Sequence, residues 1–349
     1  MEEKALRLSA VFLMILTAVS FVLLPKLPAL HTWEAEAREE RIAEEEFAQS
    51  QVTMQNLKIK EQNEAAGAKG ELSIRLPEGV TGDQIAVSSD YVTQTIRVEI
   101  PQADRTYFDS YPVLGNSDYI DGLSYTRQGE TGVIEVTTNK VYELQTGYDT
   151  QTFYFNFLTP HEVYDKVVVI DAGHGGRAVG ANKQGINEKD IDLAIVLKLK
   201  EIFDNSDENI GVYYTRTDDS NPTFDQRVQL ANKSDADLFI SIHNNSTRSG
   251  RMSGTSGTQV MYDETSEASR QFAQICLEEV TGRIGSRDKG LVEGDSIYII
   301  RTSEVPVALI EVGFMTNKDE LEKLNSDAYQ METAEGVYQA VLRAFEEGY

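Results

Sequence analysis

From residue 165 to the C-terminus, short β-branched runs alternate with stretches of helical period, and this alternation restricts the chain more than any other feature. VVVIDA, NIGVYYTR, DLFISIH, TQVMY, SIYIIRT and VALIEVGF read as strands, with helices predicted at 190–203, at 224–232, around Cys276 and toward Phe345. Apolar strands separated by helices form an α/β fold, a mixed and mostly parallel sheet with helices on both faces. Functional groups in such folds gather where strands end.

Two of the four histidines stand at such ends. VVVIDAGHGG places His174 directly after a strand, where Gly173, Gly175 and Gly176 permit a tight turn and close approach of a ligand. DLFISIHNN places His243 at the end of a second strand. VALIEVGF places Glu311 at the end of a third, inside an apolar run where an unpaired carboxylate is costly. Glu188 precedes a helix, at a boundary where its side chain can turn inward. Taken singly, each has an ordinary explanation: a loop His, a helix-start carboxylate, a satisfied core His and a buried structural acid. Their joint placement points instead to a site. Separations of 14, 55 and 68 residues exclude a local metal motif such as HExxH, so the fold must assemble it.

The N-terminal half divides by composition. Residues 8–24 (LSAVFLMILTAVSFVLL) form an apolar run behind Lys4 and Arg7, close to the length that crosses a bilayer. We read residues 1–30 as an uncleaved anchor, because Pro25, Lys26 and Pro28 leave no clean cleavage site next to the run. Cleavage at Ala35-Glu36-Ala37 would instead give a secreted protein. Everything that follows is expected outside the cytoplasm. Within the spacer 31–68, residues 34–66 are rich in Glu, Gln and Ala, and read as an exposed, solvated helix. Ile42, Phe47, Met54, Leu57 and Ile59 do not hold the heptad that a coiled coil requires. Residues 69–160 change to β-branched and aromatic alternation, with six short strands that suggest a β-sandwich ahead of the α/β unit at 165–349. Its Tyr residues could stack on sugars, although Tyr in strands is usually packing.

A net charge of -25 excludes nucleic acid as a partner, since a polyanion binder needs clustered Lys and Arg. Cys276 is the single cysteine and sits in a helical pattern, which excludes an intramolecular disulfide and reads as a small buried side chain rather than a nucleophile.

The motifs of residues 167–349 resemble the zinc-dependent N-acetylmuramoyl-L-alanine amidases of bacterial cell walls (amidase type 3). VVVIDAGHGG, NEKDIDLAI, YYTRTDD, RVQLAN, SIHNNS and VPVALIEVGFMTN match in content and order. The resemblance implies Zn2+ bound by His174, Glu188 and His243, catalysis by Glu311, and peptidoglycan as substrate. Arg216, Asn245 and Arg301 match recurrent family positions, which implies substrate contact or bracing of the site. An activator protein is a further implied partner. Residues 71–158 resemble, more diffusely, the AMIN-type β modules that precede some of these enzymes. Some members carry a long helical insertion after the second His motif that blocks the zinc. Residues 244–257 are a short link rich in Ser, Thr and Gly, so that mode of inhibition is not expected. A rival of another class is a non-catalytic wall-binding regulator, against which the complete ligand set and Glu311 argue. GHGG as a phosphate cradle fails because neither GK[ST] nor GxGxxG spacing accompanies it.

Overall fold

Residues 72–158 alternate buried and exposed side chains, and the computed structural model, which describes residues 27–61 and 69–349, shows what that alternation builds. Strands Thr95–Pro101 and Thr152–Leu158 each bury every second residue. Val98 and Ile100 from the first therefore meet Phe153 and Phe155 from the second in one core, between two five-stranded sheets. Strand Ile120–Gln128 was not expected from the sequence, because a bulge between Ile120 and Gly122 interrupts its alternation.

The predicted helix over 34–66 is corrected in two respects. The helix, α1, spans Leu27–Ser50, and after it Gln55 pairs with Tyr125 and Lys60 with Leu114 on the two sandwich sheets. Leu57 and Ile59 pack on the sandwich core, so burial at a period of two overrides the helical tendency of this segment. Nor is α1 solvated on all sides: Ala43 is 3% exposed, and the helix lies against the C-terminal half. Among the described residues no helix is long and apolar enough to cross a membrane, and the apolar run at 8–24 lies outside them.

The C-terminal sheet has six strands: β1 (Lys166–Ala172), β2 (Ile210–Tyr214), β3 (Leu238–Asn245), β4 (Thr258–Tyr262), β5 (Asp288–Glu293) and β6 (Val307–Phe314). Their order is β2-β1-β3-β6-β4-β5, with β4 antiparallel to β6 and every other pair parallel. Val168 and Ile170 of β1 face a core made with α2 (Glu188–Asp204), α4 (Glu267–Ile284) and α5 (Asp327–Glu346). Val167 and Val169 face the opposite core with α3 (Phe224–Lys233). Burial on both faces explains the continuous apolar run. SIYIIRT is not a strand: Tyr298–Arg301 forms one helical turn that buries Ile299 and Ile300, while β5, which lacks alternation, escaped the sequence reading.

The sandwich is seated on this sheet. Val141 joins the β1–α3 core, and the Glu143 carboxylate accepts hydrogen bonds from the hydroxyls of Tyr91 at 3.0 Å and Tyr213 at 2.6 Å.

Candidate metal and catalytic site

The apolar run of β1 carries Asp171 into the interior, where its carboxylate accepts hydrogen bonds from Ser241 at 2.5 Å and Thr215 at 2.6 Å. Arg227, on α3 and fully buried, donates to Asp171 at 2.6 Å and to the carbonyls of Ala172 and His174, each at 2.7 Å. Burial alone would raise the Asp171 pKa, but the guanidinium and the two hydroxyls outweigh it and hold the group at about 2. This network grips the turn after β1. His174 sits there at φ +56°, a conformation uncommon for a residue with a side chain. Gly173 is required for a different reason, since a Cβ would lie 2.4 Å from the His243 imidazole.

Glu188 opens α2, and its two oxygens have separate tasks. Oε2 accepts the Ala181 N–H at 2.7 Å, while Oε1 accepts the Asn244 N–H at 3.0 Å. Oε1 also lies 3.2 Å from Nε2 of His174 and 3.2 Å from Nδ1 of His243. The imidazole rings stand edge to face with centroids 4.8 Å apart. Burial opposes charge on Glu188, yet the facing imidazoles hold it well below the usual carboxylate range. His174 shows the complement: burial lowers its pKa, and Glu188 and Glu39 raise it more.

On the parallel ladder β3–β6, His243 is paired directly with Glu311. Glu311 Oε2 is buried without a hydrogen-bond partner among the described residues. Burial first, and then the Glu188 charge, pushes its carboxyl up to about 8, so the metal-free site keeps a proton there near neutrality. His174, Glu188, His243, Asn245 and Glu311 share a cavity of about 530 Å3, which Ala35, Glu36 and Glu39 of α1 also line. A larger cleft, about 950 Å3, between α1, the sandwich and the C-terminal half contains none of these five groups, so size alone does not locate the chemistry.

Ligand atoms of His174, Glu188, Asp192 and His243 all lie within 4.8 Å of one another, close enough to hold a metal ion. Asp192, one helical turn beyond Glu188, was not expected. Its Oδ1 accepts from the Asn244 side chain at 2.7 Å, and burial plus the nearby Glu188 charge pushes its carboxyl well above the usual range. Its other oxygen, Oδ2, is buried without a hydrogen-bond partner among the described residues, so Asp192 stands beside two imidazoles and the Glu188 carboxylate, a donor set that fits a divalent ion.

The family model for N-acetylmuramoyl-L-alanine amidase, amidase type 3, matches residues 168–343. The chain belongs to this family. A Bacillus subtilis relative, the uncharacterized protein YqiI, is 37% identical over 182 residues, which cover 50% of this chain and 83% of the relative. The N-acetylmuramoyl-L-alanine amidase CwlM of Bacillus licheniformis is 32% identical over 178 residues, covering 51% of this chain and 68% of that protein. An N-acetylmuramoyl-L-alanine amidase structure from Clostridium difficile 630 superposes with a TM-score of 0.50 at 33% identity, over 53% of this chain and 98% of that one. All three matches cover about half of this chain.

Three further residues expected to contact substrate or brace the site in this amidase have different surroundings. Asn245 lines the cavity, and its side-chain amide donates to Gln259 at 3.3 Å. Arg216 does not reach the cavity: it is 3% exposed and donates to the carbonyls of Ala172, Gly173, Asp218 and Lys189. It braces the turn because a buried guanidinium must give its N–H groups to acceptors. Arg301 is exposed, with its guanidinium over the Tyr298 ring and near Glu36. Cys276 is fully buried in α4, and burial pushes its thiol far above the ordinary range.

Arg227 and Asp171 lie inside quoted motifs, RVQLAN and VVVIDA, yet nothing local showed that they pair. Asp171 gave a signal as a charge inside an apolar run, whereas Arg227, among Asp225, Gln226 and Gln229, gave none.

Proposed function

We propose that this amidase hydrolyses the amide bond between the lactyl group of N-acetylmuramic acid and L-alanine in peptidoglycan, using zinc held by His174, Glu188 and His243. The carrying observation is the convergence of two imidazoles and one carboxylate beside the buried, unpartnered Glu311 Oε2. Such a donor set suits zinc, which when bound would supply Lewis acidity toward the carbonyl and a lower pKa for water.

The chain's own residues do the rest. Ala181 and Asn244 hold the Glu188 carboxylate in place through their backbone N–H groups. Arg227 fixes the His174 carbonyl, and with it the aim of the imidazole. Glu311 takes a proton from the attacking water and gives it to the leaving nitrogen. A carboxyl pushed up toward neutrality suits a group that must do both. The wall substrate and the apolar run at 8–24 support a position on the wall side of the membrane.

The test is to measure zinc content together with the new amino termini released from purified wall. Glu311→Gln is expected to keep zinc and lose release. New reducing sugar ends in place of new amino termini would show that the scissile bond is misassigned.

A further inference from the structure

One face of α1 carries Glu36, Glu39, Glu40, Ala43 and Glu46, at the three- and four-residue spacing of a helical stripe. Such a stripe is ordinarily apolar where a helix docks. Here it is acidic, and each carboxylate meets a group of the C-terminal half. Glu36 accepts the Tyr298 N–H at 2.7 Å, and Glu40 accepts the Phe224 N–H at 2.7 Å, at the first residue of α3 where helical N–H groups lack internal partners. Glu46 accepts the backbone N–H and the Nε of Arg177, both at 3.0 Å, and the Asn221 amide at 3.0 Å. Glu39 Oε2 stands 3.1 Å from Nδ1 of His174. Ala35, Glu36 and Glu39 form part of the wall of the cavity that holds His174, Glu188, His243 and Glu311, so α1 narrows the approach to those groups.

We propose that the active-site groove is a docking surface for an acidic helix, and that α1 of this chain is its occupant, excluding wall substrate until it is displaced. The second half of that statement rests on the hydrolytic reading of the site; the docking does not. Geometry supports an occupant from the same chain. α1 ends at Ser50, with four residues between it and Gln55 in the sandwich sheet, and the sandwich is itself seated on the catalytic sheet through Val141 and Glu143. So short a tether presents the helix at high effective concentration. The dock is also suited to release. Among the described side chains of α1, Ala43 is the one buried hydrophobic residue, and the remaining contacts are hydrogen bonds and ion pairs that water or another anion can replace.

A different role for Glu39 is to orient the His174 ring, as a carboxylate behind a metal-ligating imidazole does. The two roles predict opposite effects on wall cleavage. In the full chain, Glu36→Gln, Glu39→Gln, Glu40→Gln and Glu46→Gln are combined, with Glu44→Gln on the exposed face as control and Arg177→Glu as a second disruption from the groove side. Three quantities are read: amide hydrogen exchange over residues 36–46, the rate of zinc loss to a chelator, and new amino termini from purified peptidoglycan. Docking predicts that exchange and zinc loss each accelerate about tenfold or more in both disrupted proteins, that release from the wall rises by a similar factor, and that the control matches the parent. Unchanged exchange over 36–46 overturns the docking. Falling wall cleavage together with lower zinc content overturns inhibition and assigns Glu39 to supporting His174. Faster exchange and zinc loss with no cleavage by any zinc-loaded form establishes the docking and overturns the hydrolytic reading instead.

Discussion

Two carboxylates approach opposite nitrogens of His174, one from the start of α2 and one from the N-terminal helix α1. Glu188 lies 3.2 Å from Nε2 with its side chain 8% exposed, and backbone N–H groups hold both of its oxygens. Glu39 lies 3.1 Å from Nδ1, is 29% exposed, and sits on a helix with little apolar burial. The distances are almost equal. What differs is the surroundings: Glu188 is fixed before any ligand arrives, whereas Glu39 can leave with its helix. Equal contact distances therefore do not imply equal roles.

The largest effect should come from breaking the fixed side. Glu188→Ala is expected to lose zinc and reduce wall cleavage to background, and His174→Ala or His243→Ala should do the same in elemental analysis. Retention of stoichiometric zinc by any of these proteins would remove that residue from the ligand set. Glu311→Gln leaves the donors intact, so zinc should stay while turnover drops by about 10^2 to 10^4, the usual worth of a positioned acid/base.

Next comes the support beneath the site. Arg227→Met leaves Asp171 as a buried, unpaired charge, at a cost of about 3–5 kcal/mol in denaturant titration. The Asp171 pKa is depressed to about 2, so its contribution is present above the unfolded value of about 4 and is lost as the pH falls toward 2. Stability of the variant should accordingly depend less on pH across that window.

Glu311 provides the reverse sign. Its folded pKa, about 8, lies above the unfolded value of about 4.3, so the unfolded chain releases this proton first and the metal-free protein loses stability as pH rises between them. With a chelator present, Glu311→Gln should be more stable relative to the parent at pH 8 than at pH 5. An equal difference at both pH values would mean that Glu311 is ionised throughout. The smallest effect should come from the removable side: Glu39→Gln alone is expected to keep zinc and raise wall cleavage about tenfold, the scale of one charge-assisted hydrogen bond.

Much of the catalytic half was legible in the sequence because its signals are local. β1 is buried on both faces, so VVVIDA could only be an interior strand, and His174, His243 and Glu311 stood out as polar groups at the ends of such runs. Strand Ile120–Gln128 and β5 were not legible, because a bulge in one and uniform partial burial in the other erase the period. Arg216 was visible as a motif residue but not as a brace, since its acceptors come from β1, the turns and α2.

What the sequence by itself determined is the α/β framework and the polar residues set in its apolar runs, since side-chain periodicity dictates which positions must be buried; Glu311, expected at a strand end, lies inside β6. Only the tertiary structure decided the partners. Nothing near Glu39 or Glu36 distinguishes these acids from their solvated neighbours, because the groups that receive them lie 135 and 262 residues away. An acidic helix reads as soluble until a surface of N–H donors is brought against it, and that requires the fold to have formed.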